Sequence, residues 1–183
     1  MDLSYYIIDY AVWQELSDNL GNLSSLYQSC SFFDKFQFFL QSIYSRQMDI
    51  IGWDPKEGEA QRTGTLRGTI INMLTIAGKK EVTNEALRRF NLYLEDRVKH
   101  AISGDLQRII FKAALKEDES FVFEQLKKIY KNSTFPEEQR NCLIVLGNVT
   151  DSELHTQMLE FVLFSGEVRM CRHRQFSKQI CAC

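Results

Sequence analysis

At 183 residues the chain is long enough to bury a core as one domain, and its 44% hydrophobic and 25% charged residues match an ordinary globular composition. The 22 basic and 24 acidic residues are spread along the sequence and leave a formal charge of -2, so no field points to nucleic acid or to an anionic lipid surface. No apolar run approaches the roughly 20 residues that cross a bilayer, and Asp2, Ser4 and Asp9 stand where a secretory signal would be basic and then apolar.

In chain order, apolar residues return at helical spacing and Val, Ile and Thr never alternate with polar residues over a strand length. The fold class expected is all-α, without sheet. Predicted helices cover about 3–20, 31–45, 59–77, 84–97, 104–117, 119–132, 135–147 and 152–164. Phe32, Phe33, Phe36 and Phe39 read as one packed face of the second, and Leu66, Ile70, Leu74 and Ala77 as the apolar stripe of the third. Later stripes run through Leu87, Phe90 and Leu94, then Leu106, Ile110 and Ala114, then Val122, Leu126 and Ile129.

Punctuation supports these bounds. Thr134 with Glu137, and Thr150 with Glu153, have the spacing of capping boxes, and Thr83 and Ser103 are further N-cap candidates. Gly78 and Gly147 sit where a helix end wants a left-handed residue. From Asp105 two helix-turn-helix units follow at a period of about 32 residues, and such pairs bury their apolar faces only by stacking. Antiparallel pairs stacked as a HEAT/armadillo-like superhelical solenoid with a concave side are expected.

One run is too specific for generic helical sequence: Ile51-Gly52-Trp53-Asp54-Pro55-Lys56-Glu57-Gly58-Glu59, followed by Leu66-Arg67 and by Glu85-Ala86-Leu87-Arg88-Arg89-Phe90. With Ser103-Gly104-Asp105-Leu106, Glu137-Glu138-Gln139-Arg140, Leu146-Gly147 and Ser165-Gly166-Glu167-Val168-Arg169, it resembles the C-terminal helical domain of zinc aminopeptidases of the puromycin-sensitive branch. The resemblance implies a bowl of paired helices walling a peptide cavity, with catalysis in a domain that precedes it. It implies Trp13, Gln14 and Asn148 as residues bordering that cavity, and gives Arg67 of the Leu-Arg signature a claim on a peptide carboxylate. Gly52, Trp53, Leu66 and Arg67 form the structural signature, with Gly52 making a tight turn and Trp53 filling a seam. Arg88 and Arg89 read as a solvated face or as partners of Glu85.

The catalytic parts are absent from the sequence. Zinc peptidase chemistry of this kind needs H-E-x-x-H, two imidazoles one helical turn apart with a Glu acting on the metal-bound water. Here His100, His155 and His173 are followed by Ala101, Thr156 and Arg174. The Gly-Ala-Met-Glu-Asn segment of the resembled family is missing too, as are phosphate-loop glycine runs. No cofactor is expected in this chain, zinc belonging to the catalytic domain of a parent enzyme.

The 5 cysteines are an odd number, and Cys30 and Cys142 stand singly in apolar stretches, which suits buried free thiols in a reducing, cytoplasmic compartment. Cys142, inside Cys142-Leu143-Ile144-Val145-Leu146, reads as core rather than nucleophile.

Residues 1–169 are therefore expected to form the helical-repeat domain, and 170–183 a divergent, basic and poorly ordered tail. Cys171, His173, Cys181 and Cys183 lack the spacing of common structural zinc sites. The leading functional expectation is a C-terminal domain, or short form, of a zinc aminopeptidase that gates peptide access and works with a catalytic domain in cis or in trans. The alternative is a free-standing helical-repeat module that binds a protein or peptide, including one that modulates the intact enzyme. Met1 directly ahead of the first predicted helix leaves both open. Apolar Leu154, Met158, Leu159, Phe161, Val162, Leu163 and Phe164 exceed one buried stripe, so self-association through the C-terminal helix is also expected, carried by Phe161 and Phe164.

Overall fold

The computed structural model describes residues 10–166 and Val168, and among them it contains eight α-helices and no strand. These are α1 (Tyr10–Tyr27), α2 (Phe33–Ile51), α3 (Gln61–Ile76), α4 (Lys80–Glu95), α5 (Gly104–Glu117), α6 (Glu119–Asn132), α7 (Pro136–Leu146) and α8 (Ser152–Leu163). Two compact units divide the chain, Met1–Glu85 and Ala86–Cys183, and α4 carries residues of both.

In the first unit α3 is the central element. Leu66, Arg67, Gly68, Ile70, Ile71, Met73, Leu74 and Thr75 are all buried, a face wider than the one stripe expected from sequence. A face that wide needs neighbours on more than one side, and α1 and α2 both pack on it. From α1 the face offered is Trp13, Ser17 and Ser24, all buried, with Gly21 between them, where an added Cβ would stand in ordinary contact, 4.0 Å from Met73 Sδ. That packing carries α1 through Gly21 and on to Tyr27, past the stop expected near residue 20.

From α2 the buried residues are Leu40, Tyr44, Gln47 and Ile51, at spacings of 4, 3 and 4. The phenylalanine face expected as core is not core: Phe32 is 45% and Phe39 49% exposed. Their rings instead cluster along the surface with Tyr27 and Phe36, at centroid distances of 5.1 Å for Tyr27–Phe32 and 5.3 Å for Tyr27–Phe36. Two α2 amides finish α3, Gln41 Nε2 donating to Ala77 O at 2.8 Å and Gln37 Nε2 to Ile76 O at 3.4 Å. Gly78, at φ 72°, completes that end with the paired bonds Lys79 N–H to Leu74 O and Gly78 N–H to Thr75 O of a Schellman motif.

The second unit is built on Phe90, Phe111, Phe123, Leu126, Val145 and Leu146, none more than 1% exposed. Phe90 of α4 meets Phe111 of α5 edge to face at 5.3 Å. Asp118 alone joins α5 to α6, and its carboxylate accepts from Phe121 N–H, reversing the chain tightly. Among α5, α6 and α7 every pair is in contact, while α8 lays Phe161 edge-on against Tyr130 of α6 at 5.6 Å.

Several caps differ from expectation. Asp151, not Thr150, caps α8, accepting from Glu153 and Leu154 N–H, because Thr150 is engaged by the Glu119 carboxylate. The first residue of α7 is Pro136, and its N-cap Phe135 makes no side-chain cap; Ser133 Oγ accepts from Phe135 N–H instead. Thr83 lies inside α4, and Ser103 stands at the α5 N-cap without a side-chain cap bond. Gly147 ends α7 at φ -73°, ordinary right-handed backbone. Cys30 lies in the turn after α1 and is only partly buried, whereas Cys142 is fully buried.

Candidate functional site

Gly52 ends α2 with φ 69° and ψ -177°, a backbone region that a side chain forbids almost entirely. The bend aims Gly52 O at α3, where Arg67 Nε donates to it at 2.9 Å. Arg67 Nη2 lies 2.6 Å from Glu59 Oε2, so one guanidinium ties both ends of the 52–60 connection to α3. Only 2% of the Arg67 side chain and 12% of Glu59 is exposed. The bond from Arg67 is the chief reason the Glu59 carboxyl is held below its usual range, with Lys56 N–H adding a second. Leu66 is buried beside Arg67, so neither residue of the Leu-Arg pair faces solvent. Trp53 is half-buried in the bend.

Trp13 and Gln14 stand beside each other on α1 but differ in surroundings. Trp13 is 5% exposed, packs edge-on against Tyr44 at 5.4 Å, and its Nε1 is a buried donor with no hydrogen-bond partner. Gln14 is partly exposed and fully engaged: Oε1 accepts from Thr69 Oγ1 of α3 at 3.0 Å and from Tyr10 at 3.3 Å, while Nε2 donates to Asp18 at 2.9 Å. Asn148 belongs to the other unit, where Nδ2 donates to Ile144 O at 2.7 Å and closes the end of α7. Trp13, Gln14 and Arg67 are thus gathered around α3, and Asn148 is a helix-end residue of α7.

A second polar cluster, not anticipated from sequence, lies in the second unit. Glu138 of α7 is 7% exposed and accepts from the Tyr93 hydroxyl of α4 and from Gln107 Nε2 of α5 at 3.3 Å. Asn141 Nδ2 donates to Gln107 Oε1 at 3.0 Å, and Arg97 approaches Glu138 Oε2 at 3.6 Å while lying over the Tyr93 ring at 5.5 Å. Burial first, and then the carboxylate beside it, push the Tyr93 hydroxyl far above its usual range, so its proton stays in place and holds the three helices together. Burial likewise raises the Cys142 thiol well out of the nucleophilic range. The only legible hint of this cluster was Glu137-Glu138-Gln139-Arg140 as a motif, since a Glu one position from a solvent-facing Glu gives no sign of being core.

Among the described residues no group of three or more His, Cys, Asp and Glu side chains is placed to hold a metal, and no helix is long and apolar enough to cross a membrane. Zinc therefore has no fitting donor set in the described part of this chain. The cysteine-containing tail, including Cys171, His173, Cys181 and Cys183, lies outside the described residues.

A family model described as the ERAP1-like C-terminal domain matches residues 3–178. Aminopeptidase M1 of Arabidopsis thaliana is 34% identical over 123 residues, which is 65% of this chain and 14% of that protein. Aminopeptidase M1-A of Oryza sativa subsp. japonica is 34% identical over 122 residues, again 65% and 14%. Aminopeptidase 2 of Candida albicans is 22% identical over 163 residues, covering 88% of this chain and 18% of its own length. The chain thus spans about a seventh of the first two relatives it matches.

Proposed function

We propose a cavity-wall and gating role for this chain, because it belongs to the family of ERAP1-like C-terminal domains. In this reading it acts with a zinc aminopeptidase catalytic domain, in cis or in trans, and restricts which peptides reach the metal. Its own contribution is steric and conformational, not bond breaking. The observation that carries the reading is the family match on a sequence without H-E-x-x-H.

Within that role the helix pairs stack as a HEAT/armadillo-like solenoid whose concave side faces the cavity. Gln14 and Asn148, both partly exposed, are the peptide-side contacts. Trp13 and Arg67, both buried, support Gln14 by fixing α1 and the 52–60 connection on α3. The cytoplasm is the compartment proposed, on the strength of the odd number of cysteines.

The test is made on the protein purified from its source. Zinc content, intact mass and hydrolysis of aminoacyl substrates are measured together, then hydrolysis is compared for short and long peptides. Zinc-dependent turnover is expected only in a particle larger than this chain, and Gln14→Ala with Asn148→Ala should alter the preference for peptide length while sparing dipeptide-sized substrates. Zinc-dependent turnover by the 183-residue chain alone would overturn the proposal.

A further inference from the structure

We draw no further inference here: the strongest candidate, the partly exposed aromatic patch that Tyr27, Phe32, Phe36 and Phe39 form where α1 turns into α2, carries nothing, because no feature of the structure shows what covers it.

Discussion

Arg67 on α3 holds Glu59, eight residues earlier, at 2.6 Å while spending its Nε on the carbonyl of Gly52. One side chain thereby fixes a connection that has little apolar burial of its own, residues 54–58 being exposed. Removing the guanidinium leaves a largely enclosed carboxylate and a carbonyl without their donors. Arg67→Ala should therefore cost about 2–4 kcal/mol in urea unfolding, against less than about 0.5 kcal/mol for an ordinary surface arginine. Arg67→Lys should recover only a part, because an ammonium cannot reach both acceptors in the same geometry. An Arg67→Ala variant that unfolds like the parent would contradict this.

Glu59 also gives the first unit a pH dependence. Its folded carboxyl is held below the unfolded value of about 4.3, so the contribution is fully present above that pH and is lost as pH falls through the folded value. Thermal stability should decline on acidification below about pH 4.5, and Glu59→Gln should be less stable than the parent at pH 7 with a shallower acid slope. Parallel acid slopes for parent and variant would remove Glu59 from the account.

The Tyr93–Glu138 pair should behave as a coupled unit. Tyr93→Phe leaves Glu138 with Gln107 and Arg97 and is expected to cost about 1–2 kcal/mol, while Glu138→Ala orphans the hydroxyl and is expected to cost about 2–4 kcal/mol. The double variant should cost less than the sum by about 1 kcal/mol or more. Strict additivity would mean that the two side chains are neighbours without being energetically linked.

Phe161 and Phe164 separate the core from the surface of α8. Phe161 is 6% exposed against Tyr130, whereas Phe164 is 81% exposed. The sequence suggested that both rings would be available for self-association; Phe161 is not. Phe161→Glu should destabilise by about 3 kcal/mol or more, and Phe164→Glu by less than about 0.5 kcal/mol. Any self-association through this end should then respond in sedimentation to Phe164→Glu with Leu163→Glu, Leu163 being 53% exposed. If Phe164→Glu unfolds the chain, the end of α8 is packed otherwise.

Among the described residues helix number and most helix bounds were legible in the sequence because α5 and α6 have clean stripes and a short connection; both occupy the residues expected of them. What escaped was which face is inside. Four phenylalanines near the start of α2 outweighed Leu40, Tyr44 and Ile51 on hydrophobicity alone, yet the latter face α3. The reverse happened with α3, where Thr, Gly and Arg dilute the pattern of a helix that is nonetheless central, since an arginine can be buried once Glu59 and Gly52 meet its donors. The site residues were legible as motifs and not as roles: Gly52, Leu66 and Arg67 came from one signature, but that Arg67 spends its donors inside the chain depends on a bend whose shape no spacing rule reveals.

That bend restricts Gly52 by angle and not by volume. No heavy atom would lie within 4 Å of a Cβ built there, so even alanine, whose one side-chain carbon meets no neighbour, is penalised by the backbone angle. In a saturation library alanine should already score badly, and reading that loss as a sign of a tight pocket would be wrong. Only a residue of opposite handedness, such as D-alanine introduced by chemical ligation, would occupy the site without protest.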